Sequence, residues 1–130
     1  MKILVVCHQG NNRSVTVANQ LRYWKHDVLT AGLEVNPKET LDLLCDWSDR
    51  ILVVEFGMER QLDKRHRDKV EVWHVGPDEY PRPFNKELLA RVTALMEAHK
   101  AEYKPIQWTT LRGVRIPMEP CFPTEGVPYG

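Results

Sequence analysis

A cysteine at position 7 and an arginine at position 13, with a serine directly after, frame the segment Cys7-His8-Gln9-Gly10-Asn11-Asn12-Arg13-Ser14. An ionised thiol is a strong nucleophile, and a guanidinium grips two oxygens of a tetrahedral anion with its planar fork. Five residues between them are enough for a loop whose backbone N–H groups turn inward as an anion nest, capped by the positive end of a following helix. The same field favours the thiolate of Cys7, and Ser14 is placed to donate its hydroxyl proton to that sulfur. Gly10 falls where a ring of N–H groups calls for backbone angles that a Cβ opposes. His8, Gln9, Asn11 and Asn12 complete the loop as anion-binding positions. The spacing alone is weak: by composition, Cys-x5-Arg is expected about 0.2 times in this chain, and about 0.004 times with the serine added.

Such a loop needs a strand to start from and a helix to end in. Met1 to Cys7 (MKILVVC) is an unalternated run of β-formers, the pattern of a strand covered on both faces in the middle of a parallel sheet. From Ser14 the pattern turns helical, with Val17, Leu21 and Trp24 on one face. Asp27–Ala31 predicts a second strand ending at Gly32, and Asn36-Pro37 a turn before a helix over 39–47 with Leu41, Leu44 and Cys45 on one face. Arg50–Glu55 and Lys69–His74 predict two more buried strands, separated by a polar helical or irregular stretch over 57–68. Residues 76–83, GPDEYPRP, are held as a surface loop by proline. A last helix over 85–100, N-capped by Asn85, carries Leu88, Leu89, Val92, Leu95 and Met96 on one stripe. This order predicts an α/β fold, a three-layer sandwich around a central parallel sheet of about four strands, with right-handed crossovers and the phosphate-binding loop after the first strand. Ligands of such sheets bind beyond the carboxyl ends of the strands.

The chain has 130 residues, 18 Lys+Arg against 18 Asp+Glu, and 42% apolar residues, so one domain with its own core is expected and a broad nucleic-acid-binding face is not. The run Ile3–Cys7 is too short for a membrane span or a signal-peptide core, which predicts a cytoplasmic chain with no membrane partner. Three cysteines, at 7, 45 and 121, fit neither a paired disulfide framework nor a zinc site, and the five histidines lack metal-ligand spacing. Neither a metal nor a cofactor is expected. Five of the nine prolines fall after residue 100, where only Gln107–Ile116 is β-like, with a turn at Arg112-Gly113. The expected division is a domain over 1–100 and a Pro-rich extension over 101–130.

With Cys7-x5-Arg13-Ser14 at the end of its first strand, the chain resembles the low-molecular-weight protein tyrosine phosphatase superfamily. AGLE at 31–34, LLCDWSDRILVVE at 43–55 and GPDEYP at 76–81 resemble that family's later segments, and the spacing is most similar to its shorter bacterial branch. The resemblance implies a phosphocysteine intermediate on Cys7 and equatorial phosphate oxygens held by Arg13 and the loop amides. It also implies that Asp78, or Glu79 as the alternate, protonates the leaving oxygen and then activates water. Tyr80 would wall the cleft against an aromatic leaving group. The implied partner is a phosphorylated protein or a small aryl phosphate. Where many members carry a second loop cysteine, this chain has Asn12; where many carry asparagine and proline, it has Gly10 and Val15.

Two other functions fit the same loop. A phospholigand-binding protein of this fold would keep the anion nest without turnover, and a thiol-dependent arsenate reductase would need further reactive cysteines. Cys45 reads as a core residue and Cys121 has no assigned role. The basic run Lys64–Arg67 reads as a solvated helix face.

Overall fold

The computed structural model describes residues 1–10, 12–76 and 80–104, and the backbone of 107–118. In chain order it contains β1 (Lys2–Cys7), α1 (Arg13–Tyr23), β2 (Asp27–Gly32), α2 (Lys38–Trp47) and β3 (Arg50–Val53). Two 3-10 turns follow (Met58–Gln61 and Lys64–Lys69), then β4 (Val70–Val72), α3 (Lys86–Ala98), the single-turn α4 (Lys100–Tyr103) and a hairpin of β5 (Gln107–Leu111) and β6 (Val114–Met118).

Strands β1 to β4 form one parallel sheet in the order β2-β1-β3-β4. As the unalternated run predicts, β1 is interior, and Ile3, Leu4, Val5 and Val6 are fully buried. Burying each such side chain contributes about 1.5–3 kcal/mol relative to exposure, which ties the start of the loop after β1 to a thoroughly buried strand. The register sets Cys7 beside Gly32 and Val6 beside Val53, so the C-terminal ends of β2, β1 and β3 lie side by side.

Right-handed crossovers out of β1 and β2 put α1 and α2 on opposite faces. Val17 and Leu21 of α1 are buried and that helix packs on α3, whose Leu88, Val92 and Met96 are likewise buried. Asn85 caps α3 as its sequence predicts, its Oδ1 accepting from the N–H groups of Glu87 and Leu88. On the other face, α2 buries Leu41 and Cys45.

Several elements differ from their sequence readings. The 57–68 stretch forms two 3-10 turns, and its basic run is not wholly a solvated face. His66 is buried between Asp42 and Asp46 of α2, its ring nitrogens 3.6 and 3.7 Å from their oxygens, while Arg65 pairs with the same two acids. The third and fourth strands are shorter than expected because Val54, Trp73 and Val75 leave the ladder while staying packed in the core, and His74 between them is exposed. Past residue 100, α4 carries Tyr103 into the core, edge-on to Trp73. The hairpin turns at Arg112-Gly113, both with positive φ (51° and 80°), the pairing that matches strand twist in a two-residue turn.

Candidate active site

The loop after β1 closes over the sulfur of Cys7. Gly10 donates its backbone N–H to Sγ at 2.9 Å, and Cys7 Sγ lies 3.1 Å from Ser14 Oγ in a buried hydrogen bond. In the neutral thiol Cys7 donates to Ser14; once the sulfur is ionised the direction reverses and the hydroxyl donates. Two donors thus converge on the atom where negative charge would form. Gly10 reaches this geometry with φ of +73°, a conformation that side-chain-bearing residues rarely adopt. The loop then enters α1, whose N-terminus carries no side-chain cap, leaving its first N–H groups for the loop.

The loop is seated on the end of β2. Leu33 N–H donates to Cys7 O at 2.8 Å and Glu34 N–H to His8 O at 2.9 Å, while Asn36 Oδ1 accepts from Gly32 N–H at 2.8 Å. The AGLE segment at 31–34 is therefore the bed on which the loop rests.

Arg13 opens α1 and is almost wholly buried. Its Nη1 donates to Glu55 Oε1 at 2.8 Å and to Gly76 O at 2.6 Å. Glu55 lies two residues beyond β3, and the hydrogen bond from Arg13 holds its carboxyl below the ordinary carboxylate range. The other Glu55 oxygen lies 3.6 Å from His8 Nε2, and His8 Nδ1 lies 3.7 Å from Glu34 Oε1. Gln9 donates its side-chain amide to Glu34 Oε2. The loop's outer side chains are thus held between two carboxylates from neighbouring loops.

Among the residues expected from sequence, Cys7, His8, Gln9, Gly10, Arg13 and Ser14 come together here. Asn12 does something else: its side-chain amide donates to Tyr80 O at 3.1 Å, joining the first loop to the 76–83 loop. Tyr80 packs partly against the core and donates its hydroxyl to Val75 O at 2.9 Å. Asn11, Asp78 and Glu79 lie outside the described residues, as does Cys121. Sequence reasoning missed Glu55, Glu34, Gly76 and Gly32 as parts of the site; the only signal for Glu55 was its place as the acid ending a buried-strand run. It also missed Phe56, an exposed ring stacked on His74 with centroids 4.6 Å apart, directly after Glu55.

Cys45 is the other free thiol among the described residues, and burial, with Asp42 nearby, pushes its pKa up to about 11. Outside the loop, Glu71, His99 and Glu102 lie close enough together to ligate an ion. Arg50 already occupies both acids, at 3.3 Å from Glu71 and 2.6 Å from Glu102, and Tyr103 donates its hydroxyl to Glu71 at 3.2 Å. No helix among the described residues is long and apolar enough to cross a membrane.

The four-stranded parallel sheet in 2-1-3-4 order belongs to a fold shared with solved phosphatases, one of them described as a low molecular weight phosphotyrosine phosphatase. Among solved structures the chain is similar to Wzb of Vibrio vulnificus in complex with benzylphosphonate, at 24% identity and a TM-score of 0.61 over 79% of this chain and 97% of that one. It is also similar to the tyrosine phosphatase Wzb of Escherichia coli K30 in complex with phosphate, at 18% identity and a TM-score of 0.58 over 79% and 95%. A third likeness is to the YwlE arginine phosphatase in a cysteine-to-serine variant with a phosphorylated active-site serine, at 17% identity and a TM-score of 0.57 over 78% and 97%; YwlE is from Bacillus subtilis. These likenesses establish the fold. No protein-family model matches the chain, and the search of curated proteins gave no match.

Proposed function

We propose that the chain is a cysteine-dependent phosphomonoester phosphatase acting on phosphotyrosine or another aryl phosphate through a phosphocysteine intermediate. The observation that carries this reading is the double contact on Cys7 Sγ, from Gly10 N–H at 2.9 Å and Ser14 Oγ at 3.1 Å, at the base of a loop that leads into a helix N-terminus. A buried cysteine that merely ended a strand would have no use for a backbone N–H aimed at its sulfur and a hydroxyl within hydrogen-bond distance of it.

In the first step the Cys7 thiolate attacks phosphorus. The S–P bond forms as the P–O bond breaks, and the ester oxygen leaves with the electron pair and takes a proton from an acid, which the family resemblance assigns to Asp78. Arg13 and the inward N–H groups hold the equatorial oxygens on which charge is spread. In the second step water attacks phosphorus, passes its proton to the Asp78 carboxylate, and Cys7 departs as a thiolate steadied by the Ser14 hydroxyl. Residues 1–100 contain every side chain this chemistry uses. The benzylphosphonate bound by one relative, and the phosphorylated active-site serine of another, support an aryl ligand and a covalent phosphoenzyme.

The test is hydrolysis of p-nitrophenyl phosphate by the wild type, with loss of turnover in Cys7→Ser. A wild type that binds inorganic phosphate through Arg13 without turning over the ester is a phospholigand-binding protein instead. Arsenate-dependent oxidation of a second cysteine would replace the reading with a reductase.

A further inference from the structure

We infer that Glu55 is a positioning residue that sets the plane of the Arg13 guanidinium for phosphate, an inference that rests on the phosphatase reading above. A carboxylate beside an anion site repels the anion, so its presence there calls for a compensating role. Glu55 Oε1 and Gly76 O accept both hydrogens of one nitrogen, Arg13 Nη1, at 2.8 and 2.6 Å. Because the guanidinium is planar, fixing that nitrogen's two hydrogens fixes the plane of the group and the direction in which its Nε–Nη2 edge points. The bonds come from the segments that follow two different strands, β3 and β4, so the plane is held by the chain beyond the sheet and not by the flexible stem of the arginine alone.

The second Glu55 oxygen extends the same hold to the loop. It lies 3.6 Å from Nε2 of His8, the residue next to Cys7, and the opposite ring nitrogen of His8 faces Glu34 at 3.7 Å. One carboxylate therefore links the phosphate-gripping arginine to the residue beside the nucleophile. Arg13 keeps Glu55 ionised well below neutral pH, so this hold is present throughout the range in which a thiolate enzyme works.

The opposed effects of charge and position give a test with a sign. Glu55→Gln removes a negative charge next to the anion site, which by itself would tighten phosphate binding. If Glu55 positions Arg13, the same change instead weakens inhibition by inorganic phosphate and lowers kcat/KM for p-nitrophenyl phosphate by about 10- to 100-fold, the scale of a misplaced catalytic group. Glu97→Gln, which removes an exposed carboxylate of α3 paired with Lys100 of α4, controls for charge alone. Glu55→Ala serves as a second variant should the glutamine disturb folding, with melting temperature as the check. Phosphate binding as tight as in the wild type, or tighter, in a folded Glu55 variant overturns the inference while leaving the phosphatase reading intact. A wild type that neither binds phosphate nor turns over the ester overturns both.

Discussion

Gly10 and Gly32 are pressed backbone to backbone: a Cβ on Gly10 would lie 3.0 Å from Gly32 N, and one on Gly32 would lie 2.8 Å from Gly10 N and 2.6 Å from the carbonyl carbon of Gln9. No side chain fits between the loop after β1 and the end of β2. The inward turn of Gly10 N–H toward Cys7 therefore depends on two glycines 22 positions apart in the chain.

Substituting either glycine should loosen the loop. Gly10→Ala forces a side chain into φ of +73°, which costs about 1–2 kcal/mol, and Gly32→Ala pushes against backbone that cannot swing aside, at about 1–3 kcal/mol. Denaturant midpoints measure the loss, and phosphate affinity should fall with it. Variants with wild-type stability and affinity would show that the loop does not rest on β2.

The general acid is open to a leaving-group comparison. Asp78→Asn should slow release of poor leaving groups such as phenol by about 10²–10⁴-fold, and p-nitrophenol far less, because the better leaving group needs little protonation. Equal losses on both esters, or a larger loss in Glu79→Gln, would move the role away from Asp78.

Alkylation separates the two described thiols. Both are buried, but the Gly10 N–H and the Ser14 hydroxyl face Cys7, whereas Cys45 has its pKa pushed up to about 11. Iodoacetamide at pH 6–7 should label Cys7 and spare Cys45 in the folded protein, and phosphate should protect Cys7. Peptide mass mapping reads the outcome, and labelling of Cys45 first would contradict it.

Acid should undo the Glu55–Arg13 pair in a defined direction. The Glu55 carboxyl is held below its ordinary value of 4.5 when folded, so between the folded and unfolded values the unfolded chain binds more protons. The pair's contribution is complete above about pH 5 and fades as pH falls through the folded value. The melting-temperature gap between wild type and Glu55→Gln should accordingly be present at pH 7 and shrink below pH 4. A gap that stays constant with pH would mean that the carboxylate charge does not contribute.

His26 titrates in a higher window. Burial lowers its pKa from 6.5, outweighing its bond to Tyr103 O at 2.5 Å. A base held neutral by the fold contributes stability above its unfolded value, and that contribution is lost as pH falls below about 6.5. Wild-type stability should drop between pH 7 and 5 more steeply than that of His26→Gln. Parallel curves would rule out a contribution from His26.

The parts of this molecule that could be read from sequence are those fixed by local pattern. The run MKILVVC makes β1 interior because Ile3 to Cys7 are all apolar enough for both faces, and Cys7, Gly10, Arg13 and Ser14 fall together because they sit within eight consecutive residues. Asn85 capping α3 and the Arg112-Gly113 turn are equally local. What escaped notice depends on pairing between distant segments. Glu55 and Gly76 meet Arg13 across 42 and 63 positions, which only the strand order brings together, and nothing in KRHR marks His66 as the member that is buried against α2. Asn12 looked like one more loop amide because its partner, Tyr80 O, is a backbone atom with no sequence signature.

The strand order has a further consequence. Cys7 ends a strand that has a neighbour on each side: it pairs with Gly32 of β2, and Val6 just before it pairs with Val53 of β3, so the strand end shifts only if both ladders yield. Glu34 and Phe56, by contrast, project from connections at the ends of β2 and β3 and are largely exposed. Mutation can rewrite the rim without touching the frame that holds the sulfur. Across descendants of such a chain, substrate preference can drift quickly while reaction chemistry stays put, and amide exchange should be slowest at Leu4 to Val6 and fastest along that rim.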